Sequence, residues 1–177
     1  MSTFVTYYTN MLQAIITSKT RLRLLVKFFI NVANTGYLRG LATEMQENTN
    51  AIRKELNHLS DSGFIIREEL DSKIIYRANA AHPFFEILQQ MVRKYVGIDD
   101  IVERIFERIG AVSKVYLIGD YAKGLDTGLI EIVVVGDNLD QQYLNQIATK
   151  ISKEIEKTVV LSVSRSLVTN GLLIFEA

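Results

Sequence analysis

The stretch from residue 49 to residue 60 carries side chains that can form hydrogen bonds with nucleic-acid bases and phosphates. Arginine pairs with guanine and asparagine with adenine, while lysine and threonine hold backbone phosphates. Apolar residues recur here at helical spacing, as Ile52, Leu56 and Leu59, and so predict a helix with one buried stripe. The polar residues lie opposite that stripe, and we call them the 49–57 face: Thr49, Asn50, Arg53, Lys54 and Asn57.

Three further cations lie on predicted elements that would flank this helix if it were bound to a nucleic acid. Lys73 lies at the tip and Arg77 on the second strand of a predicted hairpin, and Arg39 is near the start of the preceding helix. All three are expected to contact phosphates. The alternative interpretation is that the 49–57 face is the solvated side of an ordinary surface helix. His58 is expected to be a surface residue rather than a metal ligand.

Three helices followed by a hairpin are predicted to position these residues. Ser18 or Thr20 can cap the first helix and Asn48 the third, because short polar side chains accept hydrogen bonds from free backbone N–H groups at a helix start. Residues 34–36 are predicted to form a turn, and Gly63 to end the third helix in a left-handed conformation. The predicted helices cover residues 22–32, 37–45 and 49–60, and the strands cover 64–67 and 74–77.

The second half of the chain alternates helices and strands and predicts a mixed sheet with helices on one side. Pro83, the only proline, marks the join between the halves and the first turn of a helix that ends at Gly97. The fold class is therefore α+β, with domains placed at residues 1–80 and 81–177. The other predicted elements are helices at 98–109 and 140–157 and strands at 115–118, 131–135, 159–163 and 172–175.

Charge is unevenly distributed along a chain whose net charge is zero. Of 177 residues, 48% are hydrophobic and 23% are charged, which allows a packed core. Residues 18–79 hold 10 Lys/Arg and 7 Asp/Glu, whereas residues 80–177 hold 10 Lys/Arg and 13 Asp/Glu, so the first half is the basic one. Because the chain has no cysteine, no secretory signal and no apolar run of about 20 residues, we expect a cytoplasmic protein without disulfides or membrane contact.

The region from Ile16 to Asn79 resembles the winged-helix domains of the ArsR/MarR type of bacterial regulators. The resemblance implies a helix-turn-helix that reads duplex DNA and a protein that acts as a homodimer. It rests on Thr20-Arg21-Leu22-Arg23-Leu24-Leu25, the helix Ala51 to Leu59, Ser62-Gly63-Phe64-Ile65 and Tyr76-Arg77-Ala78-Asn79.

Residues 115–135 resemble the signature of polymerase-beta-type nucleotidyltransferases, especially the minimal kind. In that family a Gly-Ser turn holds the triphosphate, and two Asp that alternate on a strand hold two divalent cations. Gly119 matches the family glycine, and Tyr121-Ala122-Lys123-Gly124 matches the short helix that follows. The departures are Asp120 and Gly128 in place of the two serines, Leu129 in place of the first metal-binding Asp, and Glu131 in place of the second.

These departures predict an inactive domain with no catalytic residues, bound metal or cofactor. A single carboxylate, Glu131, cannot hold two Mg²⁺ ions, and Asp120 puts a negative charge where the phosphate would lie. A third carboxylate is expected on a later strand, but residues 159–163 offer none. Asp126 stands near the motif and is better explained as a solvated loop acid than as a replacement ligand.

The two resemblances together imply a homodimeric DNA-binding transcription regulator whose second domain serves dimerisation or senses a small-molecule effector. The connectors Pro83 to Leu88 and Val92 to Gly97 resemble the join in regulators fused to such domains. Segment 1–17 is uncharged, rich in apolar residues and predicted to be helical at 11–16, so that it can pack on its own domain or across a dimer. The alternatives are an active nucleotidyltransferase that modifies a protein or small molecule, and a protein-interaction module.

Overall fold

A computed structural model of the chain describes residues 12–106, 109, 111–125, 127–155, 157–166 and 168–177. They form a mixed α+β fold with two sheets. Residues 12–15 are helical, as predicted, whereas the rest of the predicted N-terminal packing segment, 1–11, lies outside the described residues. The first half contains α1 (Lys19–Phe29), β1 (Thr35–Tyr37), α2 (Leu38–Met45), α3 (Thr49–Asp61), β2 (Ile65–Leu70) and β3 (Lys73–Ala78).

Two predicted caps fix where the helices of the first half begin. The Ser18 side chain accepts a hydrogen bond from the Arg21 N–H at 3.2 Å, and Thr20 lies inside α1 rather than capping it. The Asn48 side chain accepts from the N–H groups of Asn50 and Ala51 at 2.7 and 3.3 Å. Each cap satisfies backbone donors that the first helical turn leaves free.

The predicted turn at 34–36 is wrong in part, because residues 35–37 form strand β1 instead. β1 pairs antiparallel with β3, so the hairpin becomes a three-stranded sheet in the order β1-β3-β2. The edge of β3 offers hydrogen-bonding groups that a short strand can satisfy, and Gly36 lets β1 lie close to Leu41. The hairpin connection is also shorter than predicted: Asp71 and Ser72 alone turn the chain, with φ of 49° and 60°.

The second half contains α4 (Phe85–Val96), α5 (Ile98–Phe106), β4 (Ala111–Ile118), α6 (Gly119–Ala122), β5 (Leu129–Asp137), α7 (Gln141–Ile155), β6 (Thr158–Ser164) and β7 (Leu172–Glu176). Its strands form a four-stranded sheet in the order β6-β5-β4-β7. β5 and β6 run parallel and the other pairs antiparallel, which makes the sheet mixed. Gly97 has φ of 84° and caps the end of α4, as predicted.

One hydrophobic core extends through both halves of the described chain. It includes Leu24 and Phe28 of α1, Val96 of α4 and Ile132 of β5 in a single cluster of buried side chains. α4 lies between the halves, and the rings of Phe29 and Phe85 stand 5.6 Å apart there. Among the described residues, no helix is long and apolar enough to cross a membrane.

Candidate nucleic-acid interface

The 49–57 face is an exposed polar surface of α3, as the spacing predicted. Its five side chains face solvent, while Ile52, Leu56 and Leu59 on the opposite side of the helix are fully or almost fully buried. Arg53 also donates a hydrogen bond to the Asn50 side chain at 3.4 Å. The face therefore presents hydrogen-bonding groups and two cations on a rigid element whose other side is anchored in the core.

Three of the four acidic residues on and between α2 and α3 are engaged by cations of α1, and the fourth, Asp61, is exposed at the last residue of α3. Each of three carboxylates receives one basic side chain from α1, so that their negative charges are compensated. The pairs are Arg21 with Glu55 at 2.8 Å, Arg23 with Glu47 at 3.6 Å and Lys27 with Glu44 at 2.5 Å. The compensation leaves Arg53 and Lys54 as the charges without a partner in the described part of the first two turns of α3.

The cations predicted to contact nucleic acid differ in whether they have an acidic partner. Within the described part of the chain, Arg39, Arg53 and Lys54 form no ion pair. Lys73 lies over the ring of Tyr37, 5.1 Å from its centroid, which brings the hairpin tip to the start of α2. Arg77 instead pairs with Glu68 at 2.6 Å, and its charge is thereby largely compensated.

Glu55 is a buried acid of α3 that sequence reasoning missed. Its carboxylate accepts hydrogen bonds from Ser18 Oγ at 2.7 Å and from Arg21 Nε at 2.8 Å. Burial alone would raise the pKa of Glu55, but these hydrogen bonds and the charges of Arg21 and His58 outweigh it, so the pKa is lowered. Position 55 continues the helical stripe of Ile52, Leu56 and Leu59, and an acid on such a stripe is the signal that marks it.

Gly119 and Glu131, two residues of the stretch that resembles the nucleotidyltransferase signature in sequence, meet at the start of α6. Gly119 has φ of 68°, and a Cβ at this position would collide with the Glu131 carboxylate, whose Cδ would lie 3.1 Å away. Glu131 pairs with Ile118 across β4 and β5, which brings it over this turn. In the described part of the chain, no three His, Asp or Glu side chains gather as a metal ion would need, and Asp126 lies outside that part.

The turn after Tyr121 packs against α1 of the first half. Asn31 Nδ2 donates a hydrogen bond to the Ala122 carbonyl at 2.9 Å. Gly124 is buried with φ of 77°, and a Cβ there would lie 2.5 Å from Lys27 Cα and 2.8 Å from Lys27 C. Lys123, between them, is exposed. This part of the motif therefore forms a contact between the two halves.

A small cavity beside this contact has a volume of about 60 Å³. Ligand pockets usually measure roughly 300 Å³ or more, so the cavity is too small for a nucleotide. Its walls come from both halves of the chain: Arg23, Glu44, Met45, Gly124, Leu125 and Thr127.

In comparisons with known proteins, no family model, no curated protein and no solved structure matches this chain. The functional argument therefore depends on the chain's own geometry and charge. The part of the geometry that bears on it most directly is the 49–57 face.

Proposed function

We propose that the first half is a winged helix that binds duplex DNA and that the chain is a cytoplasmic transcription regulator. In this proposal α2 and α3 form the helix-turn-helix, and the β2–β3 hairpin is the wing. α3 enters the major groove, since that groove admits an α-helix and displays the sequence of the bases. Arg39 and Lys73 contact phosphates on either side.

The observation that carries the proposal is the separation of charge around α3. Glu44, Glu47 and Glu55 are matched by cations of α1, whereas Arg53 and Lys54 point to solvent without an acidic partner in the described chain. A helix that only faces solvent does not require this separation of charge. Binding of a polyanion such as DNA is favoured by it, because uncompensated carboxylates near the binding surface would repel the phosphates.

Individual residues of the 49–57 face receive roles from their chemistry and position. Asn50 and Arg53 lie in the first half of α3 and are the proposed base contacts, to adenine and guanine respectively. Thr49 and Lys54 are the proposed phosphate contacts, and Asn57, one turn further along, extends the base-reading surface.

We assign a non-catalytic role to the nucleotidyltransferase-like half. Glu131 is the one carboxylate retained at the family's metal positions, and Gly124 and Ala122 are engaged in packing against α1. The half would instead support α1 through this contact and present a surface to a partner or a small-molecule effector.

The proposal includes a homodimer. Phe84 is 56% exposed and Ile87 is 52% exposed, and they stand three residues apart at the start of α4. Adjacent exposed apolar side chains favour burial against a second copy, and two copies would read the two halves of a palindromic site. Changing both residues to Ser is expected to give a monomer in light scattering, with DNA affinity reduced.

The experiment that tests DNA binding uses a duplex selected by the wild-type protein from a random library of about 30 base pairs, roughly three helical turns. Fluorescence anisotropy compares the double variant Arg53→Ala/Lys54→Ala with Lys150→Ala/Lys153→Ala, which removes two exposed cations from α7. The first variant is expected to bind at least about tenfold more weakly and with a salt slope smaller by about 1 to 2. Equal effects of the two variants, or no selected duplex, would refute the proposal.

A further inference from the structure

We propose that Glu55 is the positioning residue of α3: together with Ser18 and Arg21 it sets the rotation of the helix that brings the 49–57 face onto the bases. This inference rests on the proposed function and goes beyond it. It explains how sequence reading depends on a side chain that does not touch DNA.

The three residues form a closed hydrogen-bonded unit at the start of α1. Ser18 Oγ accepts from the Arg21 N–H at 3.2 Å and donates to Glu55 Oε1 at 2.7 Å. Arg21 Nε donates to Glu55 Oε2 at 2.8 Å. Both carboxylate oxygens are thus held from α1, and the Glu55 side chain is only 8% exposed.

The chemistry of these contacts suits orientation better than stability. The neighbouring Ile52 and Leu56 are held by apolar packing, which has no directional preference of its own. Hydrogen bonds to a carboxylate are directional, because they weaken steeply when the angle at the donor hydrogen falls below about 120°. A buried ion pair adds little net stability compared with apolar packing, whereas it can specify a single arrangement.

Glu55 lies next to the proposed DNA-contacting residues in the sequence, so the rotation of α3 that it fixes would also affect DNA binding. Arg53 and Lys54 precede it directly on the same rigid helix, so a rotation that moves Glu55 away from Ser18 and Arg21 also moves the side chains that would meet the bases. Bidentate base contacts depend on geometry, while contacts to phosphate depend mainly on charge. Loss of the unit should therefore affect selectivity more than general affinity.

The chain provides a matched control in Glu47. It also pairs with an arginine of α1, Arg23, but at 3.6 Å, with both side chains partly exposed, and it precedes α3. Glu55→Gln and Glu47→Gln remove one negative charge each from the same region. An effect of charge alone on DNA affinity would be the same in both variants.

The experiment measures dissociation constants for the duplex selected by the wild-type protein and for a scrambled duplex of the same composition, at neutral pH and at a temperature where circular dichroism shows each variant folded. The selectivity ratio is the dissociation constant for the scrambled duplex divided by that for the selected duplex. We expect Glu55→Gln to reduce this ratio by about tenfold or more, which is the size of one lost bidentate contact. Glu47→Gln should leave the ratio unchanged. A purely structural role would lower the melting temperature of Glu55→Gln and leave the ratio alone, and that result would overturn the inference.

A second variant decides the matter if Glu55→Gln does not fold. Arg21→Lys keeps the positive charge but loses the planar N–H donor, and it should reduce the ratio in the same direction by a smaller factor. An unchanged ratio in Arg21→Lys, or an equal loss in the Glu47 and Glu55 variants, would refute the positioning role while the proposed function stands. If the wild-type protein does not distinguish the two duplexes, the proposed function fails and the inference fails with it.

Discussion

The 49–57 face and the nucleotidyltransferase-like motif are two regions whose residue types suggest chemistry, and they differ in their exposure to solvent. The first stays open to solvent, and neither Arg53 nor Lys54 has an acidic partner in the described chain. The second is partly buried, because Gly124 packs against the Lys27 backbone of α1. Residues that resemble a family signature can thus serve packing between the two halves, while the 49–57 face keeps the exposure that the proposed binding would require.

The contact at Gly124 gives the largest predicted effect. Gly124→Ala would force a Cβ into the Lys27 backbone and strain a residue with positive φ, and should lower the free energy of unfolding by about 3 kcal/mol. Urea denaturation measures this. Gly128→Ala is the control, since it has the same kind of φ, 82°, but meets nothing within 4 Å, and should cost about 1 kcal/mol. If both variants lost the same free energy of unfolding, the turn after Tyr121 would not pack against α1 as described.

Acid should weaken α1–α3 packing through Glu55. Its pKa is lowered in the folded chain, so its contribution to stability is fully present above the usual value of 4.5 and is lost as the pH falls through the folded value below that. Glu55→Gln should therefore flatten this part of the stability–pH curve in thermal melts. If the melting temperature of the variant depended on pH as steeply as that of the wild-type protein, other carboxylates would be responsible for the acid sensitivity.

The smallest predicted effect separates two cations on the same hairpin, Lys73, which has no acidic partner among the described residues, and Arg77, which is paired. Lys73→Gln should reduce the salt slope of DNA binding by about 1, since one phosphate contact is lost. Arg77→Gln should change the slope less, because Glu68 already compensates its charge at 2.6 Å. If both variants reduce the slope equally, the pairing in the free protein does not predict which cations meet DNA.

The sequence predicted features that depend on neighbours along the chain. Ser18 and Asn48 were identifiable as caps because a cap bonds to backbone two or three residues away. The 49–57 face was predictable for the same reason, since helical period alone separates it from the buried stripe.

The features that were not predicted depend on contacts distant in sequence. β1 forms because β3, about 40 residues later, offers it a partner, and the paired Arg77 reflects the register of β2 and β3. Glu55 becomes a structural residue only because Ser18, 37 residues away, reaches it. Residues 119–124 alone do not reveal that Gly124 packs against α1, because this contact depends on the path of the chain between Lys27 and Gly124.

The continuous core has a consequence for how the molecule responds to a bound ligand. Because α1, α4 and β5 share one cluster of buried side chains, separating the halves would expose apolar surface on both, and they are expected to unfold in one cooperative transition. A ligand that binds only the folded chain at α3 then stabilises the whole cooperative unit by mass action. Amide hydrogens in β5 would exchange more slowly when α3 is occupied, although no atom of β5 touches the ligand.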